Sequence, residues 1–123
     1  MMHTVARFLA EPALLGKVVD TGEAMNALRP GMFSGLRQRG DGFACDICQD
    51  GSWSHHEQAI REFVTEFAAL LRTAVDSGIA VAIDIAIEQG DREAATAFVG
   101  LGFDPSLLSA IASLGLRLEI TSY

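Results

Sequence analysis

The chain has 123 residues, half of them hydrophobic and a fifth charged, which suits a single domain with a real core and argues against disorder. Asp and Glu outnumber Lys and Arg by 16 to 9, and the formal charge of −7 repels nucleic acid and anionic lipid while favouring a basic partner. Mean hydropathy is positive, yet the longest apolar run, Ile79 to Ile87, is interrupted by Asp84 and falls far short of the roughly 20 residues of a spanning helix. Met1 to Ala10 lacks the basic region and long apolar segment of a secretory signal, so the expected compartment is a bacterial-type cytoplasm.

In chain order, His3 to Ala10 alternates Val5, Arg7 and Leu9 with Ala6 and Phe8 and predicts a first strand. Pro12 suits a first helical turn, where its missing N–H is not needed. Leu14, Leu15, Val18 and Val19 form a helical stripe that continues to Met25 and Leu28, with a kink expected at Thr21 and Gly22 and an end at Pro30 and Gly31. From Pro30 to Gly42 the pattern is that of a loop or irregular edge strand. It carries Arg37 and Arg39, which with Arg29 make a weak anion site at most.

Phe43, Cys45 and Ile47 alternate with Ala44, Asp46 and Cys48, predicting a second strand. Ser54 and Glu57 have capping-box spacing, with Trp53 as an apolar staple ahead of them. Ile60, Phe63, Val64, Phe67, Leu70, Leu71, Ala74 and Val75 then recur at helical steps, and Gly78 supplies a left-handed stop. Ile79, Val81, Ile83, Ile85 and Ile87 alternate with smaller or charged residues in a core strand. The pattern of 95–103 predicts a strand paired antiparallel with 79–88. Asp104 and Pro105 open a short helix that Gly115 closes, and Leu116, Leu118 and Ile120 form a last strand.

Residues 1–123 therefore read as one α+β domain, with helices on one face of a largely antiparallel sheet and two ferredoxin-like halves. The punctuation adds a family likeness. Leu28 and Pro30 follow the first helix, Arg39-Gly40-Asp41 makes a turn, and Trp53 stands shortly before the long helix. The ending runs from Asp104-Pro105 through Leu114-Gly115 to Leu118-Glu119-Ile120 and Tyr123. In these features the chain resembles a bacterial family known as the domain of unknown function numbered 4279, although Pro12 to Leu28 is longer and more hydrophobic than that family's first helix. The resemblance implies an α+β fold without established enzymatic activity. Some relatives look like immunity proteins of toxin systems, which act by binding. It carries over no functional residue.

Cys45 and Cys48 form a C-x-x-C with His55 and His56 close behind, which raises zinc or thiol chemistry. In a regular strand, however, side chains three apart point to opposite faces, and adjacent helical histidines diverge by about 100°. No metal or cofactor is expected, and free cysteines are the plainer reading. Asp84 lies among Ala80, Ala82 and Ala86, where it would line a small pocket or pair with Arg7 or Arg117. The favoured function is a non-enzymatic protein-interaction domain using Glu57, Glu62, Glu66 and Asp76 on the helix back, or Asp84 on the sheet. The partner is expected to be a protein, and a basic one, with a homodimer through Tyr123 and an open sheet edge as a variant. The alternative is a small-molecule or zinc-binding enzyme using Asp84 or the Cys45, Cys48 and His55 group. No Walker, HExxH or nucleophile-elbow motif appears.

Overall fold

The computed structural model describes residues 2–31, 42–49, 52–88 and 101–122. In chain order these form β1 (Met2–Leu9), a 3-10 turn (Pro12–Leu14), α1 (Leu15–Leu28), β2 (Gly42–Cys48), α2 (Trp53–Glu66), α3 (Ala68–Asp76), β3 (Ala80–Ile87), α4 (Pro105–Ser113) and β4 (Arg117–Ser122). The strands make one mixed sheet in the order β2-β1-β3-β4. β1 runs antiparallel to both of its neighbours, and β4 runs parallel to β3. A parallel pair needs a crossover, and α4 lies within the connection that returns the chain to the starting end of β3.

Strand alternation decides what this sheet buries. Met2, Thr4, Ala6 and Phe8 are buried on one face of β1, and the Phe8 ring stacks on Phe43 of β2 with centroids 4.4 Å apart. Val81, Ile83 and Ile85 extend the same apolar surface on β3. Onto it pack Val18 and Met25 of α1, Ile60, Phe63 and Val64 of α2, Leu71 and Ala74 of α3, and Leu107 and Ile111 of α4, all in one contiguous cluster. The helices thus share one face. Gly42 begins β2 so close to β1 that a Cβ there would stand 1.7 Å from the Phe8 carbonyl oxygen, which only glycine avoids.

Gly78, at φ +95°, and Gly115, at φ +72°, end α3 and α4 in the left-handed region expected of them. Asp104 caps α4 as its sequence promises, its carboxylate accepting from the Ser106 N–H at 2.9 Å. Other local expectations are corrected. α2 begins two residues early, so Ser52 occupies the cap position, and the Ser54 hydroxyl lies 2.9 Å from the Ser52 hydroxyl. Glu57 accepts a bond from the Asp104 N–H at 3.2 Å, which ties α2 to the start of α4. Trp53 is not a staple; its indole N–H donates to the Gly102 carbonyl at 2.8 Å while its ring meets Phe103 edge-on.

The long helix bends at Phe67, where φ −102° and ψ 14° depart from helical values. The bonds on either side persist, from Phe67 N–H to Phe63 at 3.0 Å and from Leu71 N–H to Phe67 at 2.8 Å. The helix does not break at Thr21 and Gly22, which lie within the continuous α1; an irregularity comes at Leu14, where the 3-10 turn gives way to helix. The expected strand at 95–103 falls largely outside the described residues, as do Arg37 and Arg39. β3 has β1 and β4 as its neighbours, and 101–104 carry no regular structure.

Phe63→Ala should cost about 3–5 kcal/mol in urea unfolding, because it opens a cavity where α2 meets the sheet. Ser54→Ala should change stability by less than about 0.5 kcal/mol, since its hydroxyl caps nothing.

Candidate functional site

On the face turned away from the helices, β1, β3 and β4 assemble a small ionic network. The register sets Asp84 beside Val5 on one side and Glu119 on the other, with Arg7 one row along beside Ala82. Arg7 reaches diagonally from that row. One terminal nitrogen of its guanidinium pairs with Glu119 and lies 3.4 Å from Asp84 Oδ2. Its Nε is buried with no partner among the described residues. The Thr121 hydroxyl donates to Asp84 Oδ1 at 2.9 Å.

Asp84 is only 8 % exposed, and both of its oxygens are thereby engaged. Of the two arginines named for it by the sequence, Arg7 makes the contact. Arg117 instead stands 4.0 Å from Glu119. At the end of β1, His3 Nε2 lies 2.9 Å from Asp46 Oδ1 and extends the polar surface toward β2.

The cysteines depart from the strand geometry that the sequence implies. Ala6 faces Cys45, but the register slips between Thr4 and Val5, so that Thr4 faces Cys48 with Ile47 as the extra residue. Thr4 and Ala6 share a face, so both cysteines lie on the helix side of the sheet; the expected opposition of the two is corrected by the bulge. Thr4 in turn hydrogen-bonds His56, its hydroxyl 2.7 Å from Nδ1, and both residues are fully buried. His55 is exposed on α2. Burial, reinforced by the neighbouring Asp46 charge, pushes the Cys45 thiol up to about 12. Among the described residues no three His, Cys, Asp or Glu side chains come close enough together to hold a metal ion.

The helix back is less acidic than its glutamates suggest. Arg29, from the end of α1, pairs with Glu66 and lies 5.6 Å over the Phe67 ring. Arg61 donates to the Ser106 hydroxyl at 3.1 Å and lies 3.6 Å from Asp104. Asp104 is held below the usual carboxylate range first by the Ser106 N–H, then by the Ser106 hydroxyl, with Arg61 adding to both. Gln58 donates to Glu62 at 3.2 Å.

Together Arg29, Gln58, Arg61, Glu62, Thr65 and Glu66 line a shallow, open hollow of about 430 Å³. Of the predicted acidic set, the structure brings Glu62 and Glu66 together. Glu57 is turned to the α4 start, Asp76 lies exposed at the far end of α3, and Asp84 belongs to the sheet network. Sequence reasoning missed Gln58 as a partner of Glu62, and Arg61 and Thr65 as further walls of the hollow. For Gln58 and Thr65 the signal was available: they lie four and three positions from Glu62 on one helix. No protein-family model, curated protein or solved structure matches the chain.

Arg7→Ala should destabilise the protein by roughly 1–3 kcal/mol in urea melts, because nearly buried Asp84 loses its cation, whereas exposed Arg117→Ala should cost less than about 0.5 kcal/mol. The Cys45 thiol has its folded value raised from 9.0 to about 12, so its contribution is fully present below pH 9 and is lost as pH climbs toward 12, where the unfolded thiol ionises first. Unfolding free energy should therefore fall more steeply above about pH 9 in the native protein than in Cys45→Ala.

Proposed function

We propose that this is a non-enzymatic protein-interaction domain, immunity-like in the sense that the resemblance to the family numbered 4279 implies, acting in a bacterial cytoplasm on a basic protein. The observation that carries this reading is the open hollow on the outer surface of α2, where Glu62 and Glu66 stand beside Arg29 and Arg61. Small-molecule sites are concave and enclose most of their ligand. A broad, shallow surface with charged walls suits a protein partner, where charge sets encounter rate and specificity more than raw affinity. The overall charge of −7 favours a partner of opposite sign.

Asp84 supports a structural role, since Arg7 and Thr121 occupy both of its oxygens. The raised Cys45 thiol likewise supports a packing role, because thiol chemistry runs through the thiolate. The finer architectural reading, two ferredoxin-like halves, is supported by the helix set between two strands on each side of the α2 and α3 pair, in β1-α1-β2 and in β3-α4-β4.

A photo-crosslinking residue at Thr65 should trap one basic protein in the native host. Binding of that purified partner should weaken at least tenfold in Glu62→Lys/Glu66→Lys, and should weaken with salt. Equal trapping from Ser109 on α4, or affinity indifferent to the charge reversal, would sink the proposal.

A further inference from the structure

Among the described residues β4 pairs only with β3, so its outer side presents a row of backbone N–H and C=O groups. Protein sheets usually blunt such an edge with proline, a bulge or an inward charge. β4 has no proline, and its pairing with β3 runs from Arg117 to Ser122 without a register shift. Its apolar row also runs out over the edge. Ile120 lies in register with fully buried Ile85 on the helix side, yet is itself 53 % exposed.

We propose that two copies of this chain pair their β4 strands antiparallel about a twofold axis through Leu118, continuing one sheet into the other. The strand's own sequence selects that centre. It sets Arg117 opposite Glu119 of the second copy, and Glu119 opposite Arg117, while Leu118 meets its own copy and Ile120 meets Leu116, the residue that leads into β4 from the Gly115 turn. Centring on Glu119 would set like charges face to face, and centring on Ile120 would carry Arg117 past any acid of β4.

The charges fit beyond the strand. Glu119 already pairs with Arg7 on its inner side, and Arg7 approaches Asp84. Arg117, 65 % exposed and 4.0 Å from Glu119 of its own strand, has reach to spare for the neighbour. The seam then alternates in sign from Asp84 through Arg7 and Glu119 to Arg117 of the second copy. An axis normal to the sheet keeps the helices of both copies on one side, so the apolar row of Leu116, Leu118 and Ile120 continues across the seam. This pairing does not use the α2 surface, and either reading can fail without the other.

Sedimentation across the micromolar to millimolar range tests it. The native protein should dimerise, Ile120→Lys and Arg117→Glu should each raise the dissociation constant at least tenfold, and Arg117→Lys should retain the dimer. Circular dichroism and melting of each variant separate loss of dimer from loss of fold. In a Cys48→Ser background, spin labels at Ser122→Cys should lie about 27 Å apart, the span of eight residues at roughly 3.4 Å each. A monomer throughout, a dimer indifferent to both disruptive substitutions, or a separation near ~14 Å, as an Ile120-centred register gives, would overturn the proposal.

Discussion

The rest of the structure depends on the alternation of β1. This strand pairs with both β2 and β3, and its even-numbered side chains enter the core while Arg7 enters the ionic network on the opposite face. A slip of one residue would turn Ala6 and Phe8 outward and drive Arg7 among the helices. Apolar burial and the ion pairs therefore enforce the same register from opposite sides. The bulge near Thr4 is tolerated because it lies toward the strand's beginning, beyond Ala6 and Phe8, which pair in step with Cys45 and Phe43.

What was legible in the sequence is what local physics decides. Two-residue alternation located all of the described strands to within a residue or two, and the glycines at 78 and 115 marked helix ends because only a residue without Cβ takes those angles easily. The failures share a different cause. Ser54 and Glu57 have capping-box spacing, but Asp104, 47 positions away in sequence from Glu57, supplies a competing N–H. Gly22 looks like a break, yet α1 runs unbroken through it, with Gly22 buried. The parallel pairing of β3 with β4 follows from where α4 sends the chain, which no periodicity records.

The candidate surfaces divide in the same way. The pairing of Asp84 with an arginine could be anticipated because both lie on adjacent strands, although alternation alone does not choose Arg7 over Arg117. The partial neutralisation of the α2 glutamates by Arg29 could not be anticipated, since that side chain arrives from the end of α1. His56 shows a third kind of outcome. Beside His55 it suggests a ligand pair, but the helix turns one ring to solvent and the other into the core, where Thr4 occupies its Nδ1.

The bend at Phe67 bears on how this chain tolerates change. Helical hydrogen bonds reach Phe67 from both sides, and Phe67 is itself fully buried, so the core holds the two helical segments as one bowed strut fitted to the sheet. Each residue of a helix advances the following side chains by about 100°. An inserted or deleted residue in the last turns of α2 would therefore rotate Leu71 and Ala74 away from the sheet, or else force the bend to unwind. Single replacements on the outer surface leave that phase untouched. The outer surface of the α2 and α3 pair, away from the hollow at Glu62 and Glu66, should thus drift in composition while the pair holds its length fixed.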